Sequence, residues 1–387
     1  MNVVPERTNL GGAERAPTAA PIPAPPSPLP QASSLTQSRP LRVLLLATLF
    51  NFPYRALRCA HAAGAEMYVL GNAGALGLRF SRQCRRFFLS ESIINGDRHE
   101  GVALEINCLV RDLGIGMVMA GDAPSTRTLI ASRDLIEAPC FPMPSLEVFD
   151  FLNDKWSFAQ LCTKLEIRQP RTRLFANAAA LELALANGEV DCPLVAKPLG
   201  RSGESGVVVV DCVDNQKRLR TINYRPVLVQ EFIPGCDIGA SIYAQEGRIA
   251  AFVAHRFWHQ TYSILEIDSI FCDLEKIARH FKLDGVYNFD MRLAPDGSVY
   301  YLECNPRFFF KISLSMLAGI NFIELGLPPA RRVDTDLIVA AGPVRMPKAL
   351  LYSLLTSGRC SRRDWAAAHF LYSDPVPYMM ERLGLTV

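Results

Sequence analysis

The stretch "YNFDMRLAPDGSVYYLECNPR", Tyr287–Arg307, decides how this chain is read. Two runs of alternating apolar and polar residues flank a Pro295-Asp296-Gly297 turn, the pattern of a β-hairpin. Alternation puts Tyr287, Phe289, Met291 and Leu293 on one face with Tyr300, Leu302 and Cys304. The other face then carries Asp290, Glu303 and Asn305. With a loop of two residues, or of four centred on Asp296-Gly297, Asp290 stands directly opposite Glu303. Partners across a sheet lie ~5 Å apart, where like charges repel. A divalent cation between the carboxylates offsets that repulsion. Hard oxygen ligands, with Asn305 one step along, suit Mg²⁺, which completes its shell with water and phosphate oxygens. The competing reading is a solvated hairpin whose acids pair with Arg292 or Lys311.

The bulk properties leave room for this chemistry. A chain of 387 residues with 49% hydrophobic content can bury the cores of two or three domains. Its net charge of +3 excludes the strongly basic signature of a dedicated nucleic-acid binder. Eleven cysteines with no C-x-x-C pair fit reduced thiols in a cytoplasmic protein. No apolar run approaches the ~18 residues of a membrane span, and the N-terminus lacks the apolar core of a signal peptide. Residues 1–40 hold nine of the 27 prolines and read as a disordered or polyproline-like tail.

From "RVLLLATLF" (residues 42–50), apolar strands alternate with helical patterns: "YRALRCAHAAGA" closed by Gly64, "EMYVLG", "RHEGVALEINCLVRDLG" and "GMVMAGD". That is an α/β unit with a parallel sheet over residues 41–144. "GNAGALG" (residues 71–77) lacks G-x-G-x-x-G spacing and reads as an ordinary βα loop. "SLEVFDFLNDKWSFAQLCTKLEI" reads as one helix, and the strands after it ("PLVAKP", "GVVVVD", "PVLVQEF", "IGASIYAQ", "IAAFVAHRF") predict antiparallel sheets of an α+β fold. The tail predicts two helices, the second opened by a Ser361-x-x-Asp364 cap. The expected divisions are 1–40, 41–144, 145–228, 229–330 and 331–387.

Two further segments carry chemistry. "KPLGRSGESGV" (residues 197–207) joins two strands through an amide-rich loop able to approach an anion, without the Walker A order. "VQEFIPGCD" (residues 229–237) is a strand ending in Pro-Gly, which alone reads as a strand-to-turn transition. His255 and His259 in "AHRFWHQ" lack the intervening Glu of a zinc helix and read as loop histidines.

In chain order, Asp154-Lys155, the Lys197 strand with its Gly/Ser loop, Gln-Glu-Phe-Ile-Pro-Gly, and then Asp290 followed 13 residues later by Glu303-x-Asn-Pro-Arg make a set. Over about residues 42–328 this set resembles the ATP-grasp superfamily, which includes D-alanine–D-alanine ligase, biotin carboxylase and carbamoyl phosphate synthetase. The resemblance implies an α/β domain with a parallel sheet, then a two-lobed α+β ATP-grasp fold. It implies ATP as the bound nucleotide, with Lys155 and Lys197 on its phosphates. The loop through Gly200, Ser202, Gly203, Ser205 and Gly206 would cover them. Glu231, Phe232 and Ile233 would meet adenine, with Gln230 nearby, and Asp237 would hold the ribose. Asp290, Glu303 and Asn305 would hold one or two Mg²⁺, with Mn²⁺ an alternative. Arg307, with Arg292 a second candidate, would stabilise the transferred phosphoryl group or orient the acceptor.

The activity so implied is ligation: a carboxylate becomes an acylphosphate, and an amine then displaces phosphate. A carboxylase, a phosphotransferase and an inactive nucleotide-binding regulator are the alternatives. The expected partners are ATP and small-molecule carboxylate and amine substrates, with no nucleic acid or membrane; relatives often form homodimers. Two departures stand out. Phe308-Phe309-Phe310-Lys311 replaces the small residues that often follow Asn-Pro-Arg, and Asp237 replaces a more usual Glu.

Overall fold

Strand β1 (Arg42–Ala47) is almost wholly apolar because both of its faces are covered. Leu44 and Leu46 pack toward Val102, Ile106 and Leu129, whereas Val43, Leu45 and Ala47 pack toward Leu57 and Phe50. The computed structural model describes residues 40–90, 92, 99–199, 206–210, 216–328, 337–358 and 360–383. The expected N-terminal tail lies outside them apart from Pro40. Strands β1, β2 (Glu66–Gly71), β3 (Cys84–Leu89) and β4 (Met117–Ala120) form a parallel sheet in the order β3-β2-β1-β4. Helices α1 (Asn51–Ala62) and α2 (His99–Leu113) make the crossovers, and α3 (Ala123–Ser132) follows β4. "GNAGALG" runs into a 3₁₀ helix, Ala73–Phe80, and so serves as a βα connection.

The single helix expected after Pro144 is two helices, α4 (Leu146–Asn153) and α5 (Lys155–Lys164). Asp154 leaves the helical region, with φ −83° and ψ 119°, and its carboxylate accepts from the Ser157 amide at 2.8 Å. This N-cap outweighs the continuous helical spacing and puts Lys155 at the first position of a new helix. Beyond it, β5 (Thr172–Phe175), β6 (Leu194–Pro198), β7 (Val208–Val210) and β8 (Val227–Glu231) form an antiparallel sheet in the order β5-β8-β6-β7. Helices α6 (Ala178–Ala186) and α7 (Gln216–Leu219) belong to this lobe, with Leu181 and Leu219 in its core against Leu194, Ala196, Val227 and Val229.

The second lobe is a larger, mainly antiparallel sheet. It comprises β9 (Cys236–Gln245), β10 (Arg248–Trp258), β11 (Thr261–Leu265), β12 (Gly285–Leu293), β13 (Val299–Asn305), β14 (Ile338–Val339) and β15 (Val344–Arg345). Their order is β13-β12-β9-β10-β11-β15, with β14 beside β10. Helix α8 (Asp268–Phe281) buries Ile270, Leu274 and Ile277 against Ala240, Ile242, Tyr287 and Phe289. The opposite face is thereby left for polar residues of β12 and β13. After β13 comes α9 (Ile312–Leu317), and the chain closes with α10 (Pro347–Ser357), α11 (Arg362–Tyr372) and α12 (Pro375–Arg382). The Ser361–Asp364 capping box opens α11 as the sequence predicts. α12, which the sequence pattern did not reveal, follows the buried Asp374, whose carboxylate accepts from Ser81 Oγ at 2.6 Å and the Arg82 amide at 3.0 Å.

Candidate active site

The site begins at the hairpin, and its geometry differs from the simple one. Leu293 pairs with Val299, so the loop is odd-numbered, with Ala294 and Ser298 bonded across it and Gly297 at φ +83°. An unbroken ladder from such a loop would set Asp290 against Leu302. A register shift beyond Met291–Tyr301 leaves Leu302 unpaired and brings Asp290 opposite Glu303 after all. The same bulge corrects the expected apolar face: Tyr301, not Tyr300 or Leu302, is buried beside Cys304.

Asp290 also pairs with Gly239 on β9, and Gly239 with His255 on β10. Glu303, Asp290, Gly239 and His255 thus form one row across four strands. A Cβ at Gly239 would sit 2.9 Å from the His255 imidazole, so the glycine makes room for the ring. His255 is buried in the strand, stacked on Tyr262 with centroids 4.6 Å apart, while His259 lies in the following turn with φ +46°. The two are therefore not a loop pair, because β10 runs on through Trp258.

The acids are held from several sides. Asn288 and Asn305 each donate a side-chain amide to Asp290, at 3.2 and 3.0 Å, and Ser241 Oγ donates to Asn288 at 3.0 Å. Lys155 Nζ lies 3.1 Å from Glu303 Oε2. Lys197 reaches in from the first lobe, where Gln230 Oε1 accepts its ammonium at 2.8 Å. Gln230 is buried, so it positions this lysine. Burial, and then the charge of Glu303, push the Asp290 carboxyl up to about 6. Burial also resists ionisation of Glu303, but Lys155 and then Lys197 outweigh it and keep that carboxyl below its usual value.

Two carboxylates in register, each an oxygen donor, plus the side-chain amide of Asn305, fit a hard divalent cation. Among the described residues no group of three His, Cys, Asp or Glu comes together to hold a metal. A cation here must therefore complete its shell with oxygens from water or from a bound ligand. Arg307 is buried behind the pair, within the fields of Glu303, Asp290 and Asp122, with its guanidinium 5.7 Å from the Phe52 ring.

The Glu231–Asp237 segment is built by close approach. Gly235 has φ +124°, and a Cβ there would lie 2.0 Å from the Leu293 carbonyl oxygen, so only glycine lets this turn rest on the end of β12. Arg292 binds the turn through Ile233 O at 3.1 Å, Gly235 O at 3.0 Å and Asp237 Oδ1 at 2.7 Å. Arg292, expected as a second candidate at the reacting group, is thus committed to this turn. Phe232 N donates to Pro193 O at 3.1 Å, and Glu231 accepts from Arg171 Nε at 3.2 Å. The exposed Asp237 carboxylate is paired with Arg292. Of the expected phosphate loop, Gly206 is described, with its carbonyl accepting from Tyr224 Oη at 2.7 Å; Gly200, Ser202, Gly203 and Ser205 lie outside the described residues.

The three phenylalanines divide. Phe308 and Phe309 are core residues, packed edge-on against Phe141 and Phe322, whereas Phe310 is 48% exposed. Asn288 is the residue missed from the sequence, although the alternation that selected Asp290 selects it equally. Lys311, which the sequence offers only as an ion-pair partner, lies in the field of Asp290.

A parallel-sheet domain followed by two antiparallel lobes is the architecture of the ATP-grasp fold. Residues 223–346 match the family described as ATP-grasp in the biosynthetic pathway with Ter operon. This span runs from before β8 through β15 and includes Asp290, Glu303, Asn305 and Arg307. Among solved structures, the chain is similar to L-amino acid ligase from Bacillus licheniformis: 16% identity, TM-score 0.57, covering 76% of this chain and 75% of that one. Biotin carboxylase from Campylobacter jejuni is similar at 15% identity and TM-score 0.57, over 73% and 69% of the two chains. N5-carboxyaminoimidazole ribonucleotide synthetase from Thermotoga maritima is 15% identical at TM-score 0.55, over 78% and 79%. At these identities the likeness is one of fold. No curated protein matches by sequence.

Proposed function

We propose that the chain is an ATP-dependent ligase that activates a carboxylate as an acylphosphate and passes the acyl group to an amine. The observation that carries this reading is the Asp290–Glu303 pair, set in register by a bulge and faced by Lys155 and Lys197. Crowded carboxylates cost stability, and a pair kept in place against that cost suits a metal–phosphate site. Asp290, Glu303 and Asn305 would hold Mg²⁺, which would neutralise phosphate charge when bound. Lys155 and Lys197 bind phosphate oxygens as point charges, and the Glu231–Ile233 segment, stiffened by Arg292, receives the adenine, with Asp237 beside the ribose. In the first step a substrate carboxylate oxygen attacks the γ-phosphorus and the bond to ADP breaks, its electron pair leaving with ADP. The amine nitrogen then attacks the acyl carbon, phosphate departs, and the nitrogen loses a proton. Arg307 stabilises charge on the transferred group. The protein contributes positioning and charge throughout and forms no covalent bond of its own.

Among the described residues no helix is long and apolar enough to cross a membrane, and ten cysteines are free. An ADP-release screen tests the proposal. Release that needs both a carboxylate and an amine supports the ligase. Release with bicarbonate alone points to a carboxylase, release needing only a hydroxyl acceptor points to a phosphotransferase, and tight ATP binding without release under any acceptor points to a regulator.

A further inference from the structure

A cavity of about 100 Å³ is bordered by α1, α9, α11 and α12 and by Phe257 of β10. Its walls are mostly carbon, with Phe257, Phe310, Leu314 and Phe370 prominent among them. Three cations border it. Arg58 is engaged, donating to Ser373 Oγ at 3.1 Å with its guanidinium 3.7 Å from the Phe370 ring centre. Arg55 is engaged: its guanidinium stacks 3.6 Å from the Phe310 ring centre and pairs with Glu381 of α12. Lys311 also lines the cavity, and among the described residues it makes no ion pair. The charges of Asp290 and Asp237 both act on Lys311, and Lys311 in turn acts on the buried His255, the last member of the row that begins at Glu303. Phe257, which lines the cavity beside Lys311, lies two residues beyond His255 on β10 and so on the same face of the sheet as the acid pair.

The geometry points to this cavity as the seat of the carboxylate substrate's side chain, with the Lys311 ammonium binding its carboxylate, so that the substrate is a monocarboxylic acid with one bulky hydrophobic group. The inference rests on the ligase reading and names the substrate class of that site. An apolar cavity of ~150 Å³ takes up benzene, so this smaller one suits a single ring or a branched aliphatic group. A second carboxylate or several hydroxyls would lie mostly against carbon, with Arg55 and Arg58 already engaged and Glu381 repelling a second negative charge. Phe310 sets the depth of the space, and α12 closes it through Glu381 on Arg55.

The test uses the full chain with MgADP and follows binding by calorimetry, alongside ADP release from MgATP with a mixture of amines. The probes are 3-phenylpropanoate, 4-methylpentanoate, acetate, succinate and the neutral 3-phenylpropan-1-ol. The two hydrophobic acids are expected to bind at least tenfold tighter than acetate, succinate or the alcohol. Lys311→Met, checked for folding by its melting curve, is expected to abolish the preference for 3-phenylpropanoate over the alcohol, and Lys311→Arg to restore part of it. Phe310→Ala is expected to shift the preference toward larger acids. Equal binding of acetate and 3-phenylpropanoate overturns the assignment, as does a folded Lys311→Met protein that keeps the acid-over-alcohol preference. Hydrophobic acids that bind without ADP release overturn the ligase reading alone. ADP release driven only by small or polar acids overturns the cavity assignment alone.

Discussion

Asp122, Asp364 and Asp374 are carboxylates withdrawn from water, and so in large part are Asp290 and Glu303, yet the two groups are satisfied in opposite ways. Asp122 accepts from the amides of Thr48 at 2.7 Å, Leu49 at 2.9 Å and Ser125 at 3.0 Å, and from the Thr48 hydroxyl. Asp364 accepts from the Ser361 and Arg345 amides at 2.8 and 3.0 Å and pairs with the Arg345 guanidinium. Burial resists its ionisation, but the Ser361 and Arg345 donors outweigh that and hold the carboxyl low. Asp290 has two side-chain amides and faces another carboxylate, with its own carboxyl pushed up to about 6 by burial and by that neighbour. Acids met by backbone donors join segments of the fold. An acid set against an acid stores unfavourable energy that a bound cation can release.

That contrast can be broken by substitution. Asp290→Ala or Glu303→Ala should lower ADP release by roughly 1,000-fold, because charge stabilisation is lost at the transferring phosphoryl group. Without metal the melting temperature of Asp290→Ala should hold or rise, whereas that of Glu303→Ala should fall, because the buried Lys155 loses Glu303 as its ion-pair partner. Asp364→Ala should do the reverse of Asp290→Ala. Losing the cap and leaving the Arg345 charge and the Ser361 amide unpaired should cost about 3 kcal/mol of stability, read by denaturant unfolding, with activity kept below the melting range.

A third expectation concerns pH. The Asp290 pKa is raised in the folded state, from 3.8 to about 6, so its contribution to stability is present below the lower value and is lost as pH rises through the higher one. Relative to Asp290→Asn, the metal-free protein should lose about 2 kcal/mol between pH 4 and pH 7. Parallel stability profiles for the two proteins would contradict this. The smallest effect belongs to Gln230→Ala, which frees Lys197 from its hydrogen bond; the KM for ATP should rise about fivefold, a loss near 1 kcal/mol, with little change in kcat.

Much of the acid pair was legible in the sequence because a hairpin is local: alternation and a Pro-Asp-Gly turn put Asp290, Glu303 and Asn305 on one face. The pairing came out as expected, but through an odd loop and a compensating bulge at Leu302, which no turn dipeptide announces. The break at Asp154 was hidden for a related reason, since one side-chain cap interrupted a helical pattern that continues on both sides. The cavity beside Lys311 was not legible at all. Arg55 and Glu381 stand 326 residues apart, and only the packing of α12 beside α1 brings them together. Phe308, Phe309 and Phe310 look equivalent as a run, but the bend into α9 buries two and exposes the third.

The central claim is that Asp290 and Glu303 hold a divalent cation on nucleotide phosphates. Calorimetric titration of a non-hydrolysable ATP analogue, with and without Mg²⁺, tests it most directly in the wild type and in Glu303→Gln. The wild type should bind the analogue at least thirtyfold more tightly when Mg²⁺ is present, and Glu303→Gln should lose most of that gain while its metal-free affinity changes little. An equal Mg²⁺-dependent gain in both proteins would contradict the assignment.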